Sequence, residues 1–311
     1  MPEFSSANHP ASLPSDSLLV RGRRSLGDFD LTFASDGTYL LDGGAMFGVV
    51  PKVMWQRKTL PDPENRILLG LNTVVVRTGS AVVLIETGVG DKQTEKGRQI
   101  HQNQMQLPAS LAAAGVRTEE VTHVVNTHLH FDHCGWNTTL QPDGSARATF
   151  PNAHYFAHRG EVEHGRLQLD RDKVSYVAPN YEPLIASGQM TLVDDDSLRR
   201  NAEIVPGVWM EVFPGHTAQM MAIHIESAGQ HACYIGDLYP TSKHLNPTWV
   251  MGYDLDPVRC IAERKRFLAK AVEEDWLVLF PHDHQTPAAT LKLDEQGRPV
   301  AEPAFPELLQ K

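Results

Sequence analysis

The sequence predicts an α/β protein of mixed sheets with helices packed against them, and three observations carry that prediction. The β-branched run Val121-Thr122-His123-Val124-Val125 and the apolar run Trp276-Leu277-Val278-Leu279-Phe280 read as buried strands. Helical spacing recurs between them, most clearly over Pro257 to Glu274, where Val258, Ile261, Phe267, Leu268 and Ala271 share a face. The strand, helix, strand order repeats loosely along the chain, as in layered α/β proteins. With 311 residues, 41% of them apolar and 21% charged, the chain can bury a sizeable core.

Taken in order, residues 1–25 are rich in Ser, Pro and Asn and lack periodicity, so they are expected to form a mobile extension. Residues 26–311 are expected to form one domain. The basic run Arg21-Gly22-Arg23-Arg24 falls in that extension and reads as solvated. Gly27 to Ala34 alternates as a first strand, with Ser35-Asp36-Gly37-Thr38 as its turn. Gly43 to Trp55 has neither period; it is either a tucked-in plug or the wall of an apolar pocket carrying Met46, Phe47 and Trp55. Ile67 to Arg77 and Ala81 to Glu86 flank Thr78-Gly79-Ser80 as a hairpin, and Pro108 to Ala114 reads as a helix stopped by Gly115. A strand over Phe150 to Ala157 and a polar helix over His158 to Leu169 follow. Asp170 to Ser187 reads as a cap or insertion, and Thr290 to Val300 as a terminal hairpin.

The chemistry concentrates in Thr127-His128-Leu129-His130-Phe131-Asp132-His133, which follows the strand ending at Val125. An extended backbone points His128 and His130 one way and Leu129 and Phe131 the other. Asp132 and His133 come where the chain must turn. Three further strands end in residues of the same kind: His216 after Pro214-Gly215, Asp237 after Gly236, and His282 after Pro281. Imidazoles and carboxylates are the ligand set of zinc and similar borderline metals. Seven ligands exceed one tetrahedral ion but suit two ions sharing a bridging carboxylate. Alternation alone leaves His284 as a rival to His282.

Composition excludes other classes. A formal net charge of −10 argues against a nucleic-acid or anionic-membrane surface. Cys134, Cys233 and Cys260 are too few and scattered for a disulfide framework. With no 18-residue apolar run and no recognisable leader, a cytoplasmic location is expected. The chain has no Gly-x-Ser-x-Gly nucleophile elbow.

At this point the sequence resembles the metallo-β-lactamase fold superfamily. The likeness lies in His-x-His-x-Asp-His at 128–133, Pro-Gly-His-Thr at 214–217, Gly-Asp at 236–237 and Pro-His-Asp at 281–283. It implies an αβ/βα four-layer sandwich of two mixed β-sheets flanked by helices. It places one metal on His128, His130 and His216, and a second on Asp132, His133 and His282, with Asp237 bridging. The ions would be two divalent cations, zinc first, with iron, manganese or cobalt as alternatives. The stretches Leu41 to Lys52 and Leu245 to Asp254 are similar to the quorum-quenching N-acyl homoserine lactonase branch. That implies a binuclear hydrolase opening a lactone ring by attack of a metal-bridging hydroxide. Asp132 would shuttle the proton, with Tyr239 as a further catalytic candidate; Met46, Phe47, Trp55 and Trp136 would contact the substrate. Alternatives are an organophosphate triesterase or thioesterase of the same fold, or a non-catalytic ligand binder. A small-molecule lactone or ester is the expected partner, together with a second copy of the chain as a homodimer. Two positions depart from the pattern: Glu86 stands where the family shows Asp, and Tyr239 follows Asp237 by two residues instead of three.

Overall fold

The computed structural model describes residues 19–198 and 203–310. Two seven-stranded sheets are laid down one after the other along the chain. The first contains β1 (Val20–Leu26), β2 (Phe29–Asp42), β3 (Arg66–Arg77), β4 (Val82–Ile85) and β5 (His123–Val125). A small hairpin of β6 (Thr138–Leu140) and β7 (Ala146–Ala148) intervenes before β8 (His154–His158) and β9 (Met190–Val193) complete it. The second runs in order through β10 (Glu203–Val205), β11 (Val208–Val212), β12 (Met221–Ser227), β13 (Gln230–Tyr234), β14 (Leu277–Leu279), β15 (Ala288–Leu293) and β16 (Pro299–Pro303). Pairing is antiparallel at β2–β3 and β3–β4 but parallel from β4 through β5 and β8 to β9, and again at β13–β14.

The layering follows from side-chain alternation on these strands. Leu31, Val74, Val83 and Val125 face Val208, Met221, Ile223 and Leu277 in a core between the sheets. The alternate positions Val75, Leu84 and Val124 turn outward against Leu107 and Leu111 of the helix Leu107–Ala113. Ala222, Cys233 and Val278 likewise turn outward against Phe267 and Ala271 of the helix Pro257–Glu273. This is the expected sandwich of helix, sheet, sheet and helix.

Several local expectations change. Residues 1–18 of the expected extension lie outside the described residues. Residues 20–26, however, pair with β2, so the ordered domain starts earlier than residue 26. Arg21 is not solvated: it is 4% exposed, and its guanidinium donates to the His284 carbonyl. The turn expected at Ser35–Thr38 is a register shift inside one long strand, β2. The bulge turns Asp36 inward, where its carboxylate accepts from the Leu107, Val89 and Gly90 amides and from the Trp136 indole. Burial pushes this carboxyl up to about 6, against the pull of those hydrogen bonds.

The stretch Gly43 to Trp55 resolves as the plug. Two short helices, Gly43–Phe47 and Lys52–Trp55, bring Phe47 between the rings of Trp55 and His244, at 5.3 and 4.4 Å and nearly parallel to both. Met46, Phe47 and Trp55 are each at most 1% exposed, so they are interior to this one chain. Burying such a side chain contributes roughly 2–3 kcal/mol apiece, which explains why an aperiodic stretch is well held.

Gly215 shows how closely the second sheet meets its helix. Its φ is +145°, and a Cβ there would lie 2.7 Å from the Cys260 amide nitrogen and 2.8 Å from its Cα. Backbone atoms inside a helix cannot yield cheaply. Gly215→Ala is therefore expected to lower stability by about 3 kcal/mol, read as a fall in the urea midpoint with an unchanged slope.

Candidate metal centre

The seven residues singled out in the sequence converge at one end of the seam between the sheets. His128, His130, Asp132 and His133 descend from the end of β5, His216 lies between β11 and β12, Asp237 follows β13, and His282 follows β14. The five histidines and Asp237 are each less than a tenth exposed, and the Asp132 side chain is 11% exposed.

Their inward atoms cluster in three overlapping groups: His128 with His130 and His216, Asp132 with His133 and His282, and, joining these two, Asp237 with His128 and His133. In the first, His130 Nδ1 and His216 Nε2 are 3.2 Å apart. In the second, His133 Nε2 and His282 Nε2 are 3.1 Å apart, with Asp132 Oδ2 at 3.9 and 3.7 Å from them. Asp237 stands between the groups. Its Oδ2 is 3.4 Å from His216 Nε2, and its Oδ1 is 3.1 Å from His282 Nε2 and 3.5 Å from His133 Nε2. His284 belongs to none of these groups; its carbonyl takes the Arg21 guanidinium, and its ring lies in a small recess beside Phe47 and His244.

These residues fit divalent cations. His128 Nε2 and Asp237 Oδ1 are buried yet make no hydrogen bond, an expensive condition for polar atoms. The outward nitrogens, by contrast, are anchored. His128 Nδ1 meets Thr127 Oγ1 at 3.0 Å, His216 Nδ1 meets Asp254 Oδ1 at 3.0 Å, and His282 Nδ1 meets the Gly70 carbonyl at 3.0 Å. His133 Nδ1 faces Glu86 Oε2 at 3.6 Å. Outward partners of this kind fix ring orientation and tautomer, leaving the inward nitrogen its lone pair.

Electrostatics follow the same division. Burial, reinforced by the neighbouring imidazoles, holds His128 well below the ordinary histidine range and His130 down to about 3, so both stay neutral. Burial also opposes charge on His133, but the carboxylates of Asp237, Asp132 and Glu86 outweigh it and push its pKa well up. Burial would raise Asp237 too; the three facing imidazoles of His282, His133 and His216 instead hold it well below the usual carboxylate range.

Glu86 does more than replace an aspartate. It adopts φ +63°, rare for a side chain with a Cβ, and its carboxylate accepts the Thr127 amide at 2.7 Å beneath the ligand loop. Asp254, inside the lactonase-like stretch, went unremarked in the sequence because its role needs a partner 38 residues away. Tyr39 was missed as well. Its hydroxyl donates to Asp132 Oδ2 at 2.9 Å and lies 3.2 Å from His282 Nδ1.

Tyr239 is not at this centre. It is fully buried under the helix Pro257–Glu273, and its hydroxyl donates to the Arg264 carbonyl. The side chains expected to contact substrate are also committed elsewhere. Met46, Phe47 and Trp55 form the plug, and Trp136 is spent on Asp36. A cavity of about 200 Å³ is lined by Val89, His101, Phe131, Val174, Val177 and Asn180, among others, and Phe131 is the chain neighbour of both His130 and Asp132. Its Val174 and Val177 come from the irregular segment read as a cap. Among the described residues no helix is long and apolar enough to cross a membrane.

The loop bearing His282 is held by Asp283, whose carboxylate is 2.9 Å from Lys243 Nζ and accepts from the Ser242, Gln285 and Thr286 amides. Burial would raise this carboxyl, but Lys243 and Ser242 outweigh it and hold it at about 2. A depressed carboxyl contributes stability that is complete above the ordinary value near pH 4 and disappears as pH falls through about 2. Lys243→Met is expected to cost about 2 kcal/mol at pH 7, less than for an isolated buried pair because three amides remain. The difference from wild type should shrink below pH 4 in urea titrations. Asp254→Ala, which frees the His216 ring, is expected to weaken metal affinity roughly 10–100-fold in competition with a chelator.

Comparison with known proteins agrees with this geometry. The sequence profile of the Metallo-beta-lactamase superfamily matches residues 67–287. An N-acyl homoserine lactonase of Bacillus cereus is 23% identical over 243 residues, spanning 71% of this chain and 84% of that protein. A probable metal-dependent hydrolase from Staphylococcus aureus superposes with a TM-score of 0.80 at 29% identity, covering 90% of this chain and 99% of its own. AidC, a dizinc quorum-quenching lactonase solved with the product N-hexnoyl-L-homoserine, gives a TM-score of 0.75 at 20% identity, covering 91% and 96%.

Proposed function

The chain belongs to the metallo-beta-lactamase superfamily, and from that premise we propose that it is a two-metal hydrolase that opens the ring of an N-acyl homoserine lactone or a similar lactone. The observation that carries the reading is the paired arrangement of ligands about Asp237, whose two oxygens face different groups. The lactonase relatives and the two lactonase-like loops support the choice of substrate.

Divalent ions, most readily zinc, would supply Lewis acidity and bring the pKa of a bound water from 15.7 to about 7. His128, His130 and His216 would hold one; Asp132, His133 and His282 the other. The rest of the work falls to the chain. The dry floor beneath Leu129 and Cys134 keeps bulk water from the inward atoms. Asp132, the most accessible of the seven, is placed to receive a proton and pass it to a departing alkoxide. Phe131 projects into the cavity from between His130 and Asp132. With Val89, Val174 and Val177 it offers an apolar wall to an acyl chain.

Stripping the protein with a chelator and assaying lactones, thioesters and phosphotriesters side by side tests the reading. Lactone opening should vanish in the stripped protein and return with added Zn2+, exceeding the other two classes. Undiminished turnover by metal-free protein, or preference for a phosphotriester or thioester, would overturn it.

A further inference from the structure

We propose that Tyr39 is a positioning residue for the second ion position, holding the Asp132 carboxylate against the His282 ring and fixing which nitrogen of His282 faces inward. The inference rests on the two-position reading above. Tyr39 lies on β2, just past the bulge, and is 1% exposed. Its ring packs 5.5 Å from the His282 ring and 6.4 Å from that of His101. Asp132 follows a strand of the first sheet and His282 a strand of the second, so a single hydroxyl ties the two sheets together at the ligands.

A phenol has one proton to give. Tyr39 gives it to Asp132 Oδ2, which leaves only oxygen lone pairs facing His282 Nδ1. That nitrogen must therefore carry a hydrogen, and the Gly70 carbonyl on its other side demands the same. The tautomer is thereby set, with the lone pair on Nε2. Nε2 is the atom that stands 3.1 Å from both His133 Nε2 and Asp237 Oδ1. The close approach of Gly70 is itself enforced: a Cβ there would lie 3.1 Å from the His284 Cα. The first position does not share this device. The outward nitrogen of His128 pairs with the Thr127 hydroxyl, and that of His216 faces the Asp254 carboxylate, which accepts.

The test uses wild type, Tyr39→Phe and Tyr239→Phe, each stripped and titrated with Zn2+ against a chromophoric chelator. The second variant removes an equally buried hydroxyl, whose proton goes to the Arg264 carbonyl and not to a ligand. The expected result is that Tyr39→Phe binds its second equivalent roughly 10–100-fold more weakly, with the first unchanged, while Tyr239→Phe matches wild type in both. A second equivalent of unchanged affinity in Tyr39→Phe overturns the proposal and leaves the two-ion reading standing. Uptake of fewer than two ions by wild type overturns that reading, and the proposal with it. Equal weakening of both equivalents, or the same weakening in Tyr239→Phe, signals general loosening and also overturns it.

Discussion

Electron-rich atoms packed together where water is scarce need positive charge among them, and the rest of this molecule is arranged around that need. Seven side chains turn nitrogen and oxygen lone pairs toward a common space, several of them 3.1–3.5 Å apart. In water such groups would separate and hydrate. Here a buried floor and anchored rings forbid it, so attraction for a cation is built in. The strong upward shift of His133 and downward shift of Asp237 are two views of one field. A proton on His133 and a divalent cation would compete for the same nitrogen, so a cation taken up there would displace the proton.

Holding that geometry falls to residues that touch no substrate. Glu86 in its strained conformation supports the start of the ligand loop, and Asp254 sets the His216 ring. Asn72 donates from its side chain to the Phe280 and Asp283 carbonyls, tying β3 of the first sheet to the loop that carries His282. Asp36 gathers four donors from three separate segments. Each of these is a buried group tied to fixed partners from other segments, the kind of network that specifies one arrangement over its neighbours.

The sequence made the layered architecture and the seven ligands legible because both have local signatures. Alternation and helical period mark strands and helices, and histidines spaced by one residue at a strand end mark a metal floor. The roles that escaped notice all depend on contacts between distant segments. Tyr39 and Asp132 are 93 positions apart, and nothing near Tyr39 hints at the encounter. Trp136 and Phe47 were expected to face substrate because large aromatics near a site often do. Which side of the backbone they take was decided by a bulge at Asp36 and by stacking on His244. β1 escaped because its Arg-rich composition resembles a tail, and only the register with β2 reveals it as a strand.

The laying down of one complete sheet before the other has a consequence for how the protein is made. His128, His130, Asp132 and His133 accompany the first sheet, whereas His216, Asp237 and His282 accompany the second. A nascent chain emerging from the ribosome can assemble its N-terminal sheet early, but it then holds four donors and lacks the carboxylate that joins the two groups. The pocket is therefore a joint property of the two halves: a chain that stops before His282 carries the four donors of the first sheet but lacks a complete second group.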